Sequence, residues 1–582
     1  MDSDELKEHE ANAARDRRVL ELYEQVTEVE RRLIPTGLHV FGQVSGEAER
    51  ADVLRMIAAF DRPEANARAL PDLVAQGLGL GNYEGLTRPG SSESNLSTRE
   101  KVDEIVSSAV RLFLRDGAGA AMTWLEKVAG IPERDSQPLF SLLEQIQSLL
   151  QTNSEMDSLV RALRGEYVEP GPGADIVQNP FVLPTGRNTH AVNPYTVPSI
   201  SAYARAESVV NRLLERHLKE HGRLPRAMAL VLWGLDNIKT QGEGVAQALW
   251  LLGVRPVRDA LNRATEIEVV PLERLGRPRV DVVMTVSGIF RDLFGPTIVL
   301  LDKAVRAVAS LDEPPEMNYL RGHVLEQSAA EGCSNEEASV RVFSNAPGNY
   351  GTNVNFMVMD SQWERGDSLG DLFVTRKCFA YGRDREGRAI EGREARESME
   401  RALSRVEAAY QNIDTFEIGI TDVDHYFEYL GGVAKAVETR AAQRPAVYLS
   451  DTLSRDARVR TLEETVRLET RAKTLNPKWY EGMLRHGYRG VAEIESHVTN
   501  TFGWSATADA VDDWVYTEVA RTFVLDREML ERLRRLNPHS ARSLVARLLE
   551  AEGRGLWDAD AEVIQQLREV FASLEDHLEG VA

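Results

Sequence analysis

The stretch Arg226–Trp233 (RAMALVLW) is an almost unbroken apolar run, too short for a helix of the usual length and bounded by a glycine-rich segment. A run of that kind is a strand buried on both faces. It opens an alternation: loop Gly234–Gly244, helix Val245–Leu252, strands Glu266–Val270 and Val280–Val286, helix Ile289–Leu311. Strands alternating with covering helices predict a parallel sheet. The fold class is therefore α/β and multidomain, with a Rossmann-like parallel-sheet domain flanked by largely helical domains. Ligands of such sheets sit beyond the carboxyl ends of the strands. Three loops are expected there: Gly234–Gly244, Ser287–Asp292 and Ser344–Asn353. The first has glycine and lysine but lacks the GxxxxGK[ST] spacing, and no GxGxxG follows a strand, so no nucleotide site is visible. The purified chain is expected to hydrolyse no ATP, and sustained ATPase activity from the chain alone would overturn that reading.

The third loop, Ser344-Asn345-Ala346-Pro347-Gly348-Asn349-Tyr350-Gly351-Thr352-Asn353, contains two Gly, one Pro and three Asn. It can form neither a packed helix nor a central strand, and reads as tight turns exposing amides and hydroxyls. An amphipathic stretch follows and ends on Arg376-Lys377. Ordered polar loops on a rigid scaffold are where binding and catalysis concentrate.

At 582 residues the chain exceeds one core and predicts several domains. The boundaries expected are a mainly helical domain over 1–165, a Pro/Gly-rich strap over 166–200, an α/β domain over 201–390 and a mainly helical domain over 391–582. With 69 Lys+Arg against 91 Asp+Glu, the net charge of −22 speaks against nucleic acid or an anionic membrane surface as partner. Two cysteines, Cys333 and Cys378, have no metal-type spacing. The charged N-terminus has no signal-peptide pattern and no run reaches membrane-spanning length, so a cytoplasmic location is expected.

Along the chain, Arg15–Leu33 reads as a helix stopped by Pro35 and Gly37, running into a short apolar strand that contains His39. A lone histidine among apolar residues is usually a satisfied core residue. Ala51–Leu163 is helical, broken by a polar loop near residues 88–97. The strap includes Leu183-Pro184-Thr185-Gly186-Arg187-Asn188-Thr189-His190, whose Arg, Asn and His suit an anion or carbonyl clamp. Ser201–Glu220 is helical. His217 and His221, one turn apart, have metal-ligand spacing but lie where a solvated helix end before Gly222 accounts for them. In the last third, Glu394–Tyr410, Glu417–Tyr429, Arg458–Arg471 and a helix opened by Phe502-Gly503-Trp504 read as helical. A Gly431-Gly432 turn and a strand near Ala446–Leu449 interrupt them. Pro477 marks a further helix start. His425 is flanked by carboxylates and aromatics.

The motifs GLHVFG (37–42), LPTGRNTHA (183–191), LVLWGLDNIKTQGE (230–243), GIFRDLF (288–294) and SNAPGNYGTNVN (344–355) resemble the porphyrin-binding large subunit of magnesium chelatase. So do RTLEETVRLETRAKTLNPKWYEGML (460–484) and GWSATADAVDDWVY (503–516). That family is related to the cobaltochelatase large subunit. The resemblance runs along nearly the whole chain and corresponds to the C-terminal part of a longer subunit. It implies insertion of Mg²⁺ into protoporphyrin IX for chlorophyll synthesis, with ATP hydrolysed by AAA+ partner subunits. A separate amino-terminal half is a further possible partner. His425-Tyr426-Phe427-Glu428-Tyr429-Leu430-Gly431-Gly432 leans towards the cobalt-type relatives. Cobaltochelatase and a non-catalytic tetrapyrrole-binding protein therefore remain open.

Metal insertion removes two pyrrole protons and needs a base. Mg²⁺ prefers oxygen ligands, and the macrocycle needs an apolar slot with cationic or amide groups for its propionates. Within the family's motifs, the candidates for proton or metal work are Glu30, His39, Glu243 and His425, with Glu243 and Glu30 as metal ligands. Arg187, Asn188, His190, Lys239, Arg291, Asn345, Asn353 and Arg376 are candidates for binding propionates or ordering the loop.

Overall fold

The computed structural model of the protein describes residues 41–581 apart from 84–85, 87–92, 174–175, 178, 191, 365, 384–386, 414, 416–417 and 453–456. Two compact units divide the chain. One comprises Met1–Val192, Ile238–Thr240 and Thr452–Ala457; the other comprises Asn193–Asn237, Gln241–Asp451 and Arg458–Ala582.

The described residues of the first unit are mainly helical. Helix Glu93–Asp116 buries Val102, Val106, Ala109, Val110 and Phe113 at spacings of three and four, the signature of one apolar stripe. That stripe shares a core with Leu139, Phe140, Leu143 and Ile146 of helix Glu133–Leu150. Phe113 and Phe140 meet with ring centroids 5.7 Å apart. The Pro/Gly-rich stretch contributes a short parallel pair, β1 (Pro170–Pro172) and β2 (Asn188–His190).

The second unit is built on the predicted sheet. Its strands are β3 (Ala227–Leu232), β4 (Val254–Arg258), β5 (Ala264–Val269), β6 (Asp281–Val286), β7 (Val342–Ser344) and β8 (Phe379–Arg383). They are followed by β9 (Ala389–Glu394), β10 (Ala408–Ile413), β11 (Ala446–Asp451) and β12 (Val459–Thr461). Eight of them form one sheet in the order β12-β11-β10-β3-β6-β7-β8-β9. The run β11-β10-β3-β6-β7 is parallel. Antiparallel β12 closes one edge, and β8 with β9 closes the other. Every residue of β3, β6 and β10 is buried, which is why these strands read as continuous rather than alternating. The chain leaves β3 towards β6 and β7, then returns to its other side with β10 and β11. The reversal between β3 and β10 is a topological switch point, where α/β sheets open a crevice.

Several expectations differ from this arrangement. The strand read at Glu266–Val270 lies in a separate antiparallel ribbon of β4 with β5, outside the main sheet. Its alternation of exposed and half-buried residues fits a ribbon with one wet face. Gly234–Gly244 is not all loop: Gly234–Lys239 is a short helix. The helix read across Glu394–Tyr410 ends at Leu403, and Ala408–Ile413 is the central strand β10. A division at residue 390 therefore runs through the sheet, since β10, β11 and β12 complete it. Gly431-Gly432 is not a turn; both residues are helical. A side chain at Gly432 would come within 2.5 Å of the Phe373 ring, and one at Gly431 would strike Thr507, so glycine here permits close packing. Phe502-Gly503-Trp504 lies inside helix Tyr488–Ala508 instead of opening a helix, with Gly503 against the Phe427 ring. His217 is buried beside the Tyr448 hydroxyl, 3.3 Å away, not at a solvated end; only His221 reaches the last turn.

Candidate functional site at the carboxyl edge of the sheet

The three segments expected beyond the strands do leave the carboxyl ends of β3, β6 and β7, but the first two begin as short helices, Gly234–Lys239 and Gly288–Leu293, and only the third is a loop. A fourth segment, whose described residues also form a loop, leaves β10. Hydrogen bonds stitch them together. The Gly234 N–H donates to Ser287 Oγ at 3.0 Å. Ser344 Oγ donates to the Val286 carbonyl at 2.9 Å. Trp233 Nε1 donates to Gln411 Oε1 at 3.0 Å, and its ring packs on Tyr426 and Tyr429 at 5.9 and 4.5 Å.

The Ser344–Asn353 loop is held from both ends. At its base Asn345 Nδ2 donates to the Gly351 carbonyl at 2.5 Å and the Arg376 carbonyl at 3.2 Å. Arg291 Nη1 donates to the carbonyls of Ala346 and Asn349 at 2.8 and 2.9 Å. Beneath it lies Lys377, whose Nζ donates to the Val286 carbonyl at 2.7 Å and to Asn345 Oδ1 at 3.1 Å, 4.4 Å from the Tyr429 ring centroid. Burial pushes the Lys377 ammonium down to about 7; nearby Glu428 opposes the shift and Arg291 adds to it. At its carboxyl end, Gly351 and Asn353 are left-handed, with φ of 67° and 64°. This turns the N–H groups of Thr352 and Asn353 towards Glu428 Oε1, which also accepts Thr352 Oγ1 at 3.1 Å. A side chain at Gly351 would meet that carboxylate at 3.0 Å, so glycine is the residue that fits there.

Glu428 lies in a π-helical turn, Phe427–Gly431, a distortion common at functional sites. Its Oε2 is 2.7 Å from Nδ1 of His425. The pair is asymmetric in exposure: the Glu428 side chain is 1% exposed and that of His425 60%. Burial alone would raise the Glu428 carboxyl, but its bonds from His425 and from the loop amides bring it below the usual range. The bond to Glu428 raises His425. Asn355 Nδ2 donates to Asp424 Oδ2 at 2.6 Å, tying the residue before His425 to the helix after the loop.

The β10 exit loop is fixed from behind. Glu469 accepts the N–H groups of Ile420 and Thr421 at 3.0 and 2.9 Å and the Thr421 hydroxyl at 2.8 Å. Asn500 Nδ2 and Trp504 Nε1 donate to the carbonyls of Thr421 and Ile420, both at 2.9 Å. His497 Nε2 pairs with Asp422 at 2.9 Å. Two late sequence motifs thus act as the wall that positions His425. Around these ends Leu235, Ile289, Tyr350, Phe356 and Ile418 leave apolar side chains exposed, the kind of surface a flat apolar ligand covers.

Of the sequence candidates, Arg291, Asn345, Asn353, Arg376 and His425 gather around this loop. Glu243 belongs to the same unit but is buried at 1% exposure, 3.3 Å from Arg205; burial raises its carboxyl and Arg205 opposes this. A proposed metal ligand there is closed off from solvent. Arg187, Asn188, His190 and Lys239 belong to the other unit; Arg187 Nη2 donates to the Leu183 carbonyl. Glu30, His39 and the side chain of His190 lie outside what the structure describes. Glu428, Lys377 and Trp233 were not singled out by sequence. A glutamate one helical turn after His425 was the available signal for Glu428. Among the described residues, no group of three or more His, Cys, Asp or Glu side chains is arranged to hold a metal ion. This includes His217 and His221. No helix among them is long and apolar enough to cross a membrane.

The profile of the family described as CobN/Magnesium Chelatase matches residues 1–564. The chain belongs to the CobN/magnesium chelatase family. Within it, the chain is 44% identical to the chloroplastic magnesium-chelatase subunit ChlH of Oryza sativa subsp. indica, over 97% of this chain and 43% of the relative. It is 36% identical to the aerobic cobaltochelatase subunit CobN of Pseudomonas aeruginosa, over 93% of this chain and 45% of that one. Among solved structures it resembles the catalytic subunit of cobaltochelatase from Mycobacterium tuberculosis. That match has a TM-score of 0.81 and 33% identity, covering 96% of this chain and 46% of the other. The chain spans less than half the length of the family members it matches.

Proposed function

We propose that this chain forms the tetrapyrrole-facing part of a magnesium chelatase large subunit, working with AAA+ partner subunits that hydrolyse ATP and with the amino-terminal region found in longer family members. The observation that carries the reading is the His425–Glu428 pair. A buried carboxylate orients an exposed imidazole at the carboxyl edge of the sheet, beside apolar side chains suited to a macrocycle. With Nδ1 directed at Glu428, the neutral ring presents Nε2 as a proton acceptor, and the carboxylate makes it more basic. Free-base porphyrin must release two pyrrole protons as the ion enters; His425 takes one of them and the other passes to water. Mg²⁺ and protoporphyrin IX are the substrates.

The higher identity to the ChlH relative supports magnesium over cobalt, whereas the cobaltochelatase likeness in structure supports a second reading, cobalt insertion into a corrin-type ring. Fluorescence quenching and absorbance with a soluble free-base porphyrin and with a metal-free corrin precursor separate them. Saturable porphyrin binding at tens of micromolar, roughly −6 kcal/mol, is expected. Absence of saturable quenching at that concentration would remove the direct tetrapyrrole site. Preference for the corrin would move the reading to cobalt.

A further inference from the structure

Arg376 lies in the last turn of helix Gly366–Lys377 and is half-buried. Its carbonyl accepts Asn345 Nδ2, which places it at the base of the Ser344–Asn353 loop. Yet among the described residues its guanidinium makes no hydrogen bond, ion pair or ring contact, and its Nε is shielded from solvent without an acceptor. Arg291, Arg440 and Arg547 also bury an unpartnered nitrogen, but each donates its other N–H groups to carbonyls or carboxylates. In a chain with 91 Asp+Glu against 69 Lys+Arg, carboxylate partners are in excess, so an arginine beside the loop with none stands apart. Withholding acceptors from buried N–H groups is costly. Arg291, bonded to the same loop, likewise keeps Nη2 buried and without a partner. The arginine fork matches a carboxylate with two parallel bonds.

We propose that Arg376 receives a peripheral carboxylate of the tetrapyrrole bound over the strand ends. This rests on the tetrapyrrole reading and assigns it a recognition residue. The test compares a soluble porphyrin dicarboxylate, deuteroporphyrin, with its dimethyl ester, by fluorescence quenching on the full chain. The wild-type chain is expected to prefer the diacid by about 10-fold or more, the usual worth of a charge-assisted bond. Arg376→Met should reduce the preference to about twofold while leaving ester affinity unchanged, and Arg376→Lys should keep part of it. Melting temperatures of both variants confirm that they fold. Equal affinity of the wild type for acid and ester, or a preference that survives in Arg376→Met, overturns the proposal while porphyrin binding stands. Failure of the wild type to bind either compound removes the tetrapyrrole reading, and the proposal with it.

Discussion

Replacing His425 by alanine is expected to lower metal insertion by the assembled chelatase about 10²–10⁴-fold, the range a positioned acid–base group supplies. Stability should fall by no more than about 1 kcal/mol, because the imidazole is exposed and Glu428 keeps its bonds to Thr352 and Asn353. Porphyrin affinity should be nearly unchanged. A pH profile separates this role from a structural one. The imidazole accepts a proton only when neutral, and Glu428 raises its pKa, so the rate should climb as pH rises through a value above that of free histidine. Glu428→Gln removes the charge and should move that limb to lower pH. An unchanged limb, or full activity in His425→Ala, would take the proton-accepting role away from His425.

The second large effect is on stability. Lys377 titrates at about 7 in the folded chain against 10.5 for an exposed lysine. Between those values the unfolded chain holds a proton that the folded chain lacks. Folding therefore becomes more favourable as pH rises through this window, and the gain is withdrawn as pH falls towards 7. The slope is about 1.4 kcal/mol per pH unit, and the whole window amounts to roughly 5 kcal/mol. Lys377→Met has no such proton. The difference in unfolding free energy between wild type and Lys377→Met should move in the wild type's favour by that slope between pH 7.5 and 9.5. Denaturant melts at several pH values read this directly. Parallel curves for the two proteins would show that Lys377 keeps an ordinary lysine affinity for its proton.

What was legible in the sequence follows from the physics of burial. β3 and β6 are central strands with both faces covered, so RAMALVLW and VDVVMTV announce themselves without reference to partners. β10 did not, because AAYQNI mixes polar residues into a buried strand. Gln411 Oε1 accepts from Trp233, and Asn412 bonds Tyr410 and Asp236, contacts that no local pattern reveals. Missing β10 hid the fourth loop, and with it the reason His425 stands beside the Ser344–Asn353 loop. That loop itself was readable from its glycines and asparagines. Its anchor was not: Glu428 lies 76 residues beyond Thr352, and Lys377 looks like a surface residue next to Arg376. Arg291 and Arg376 were visible only as residue types; their unequal partnering is a property of the fold.

The interleaved strand order also bears on how such a chain is made. When β3, β6 and β7 have emerged from a ribosome, the flank of β3 that will receive β10 is still bare, and residues 233–407 must be synthesised before Ala408–Tyr410 can pair with Met228–Leu230. An open, apolar strand flank is a template for pairing with other chains. Nascent chains stalled within that interval would carry it in full, so this half of the protein has a long window of dependence on chaperones, closed only when β10 arrives.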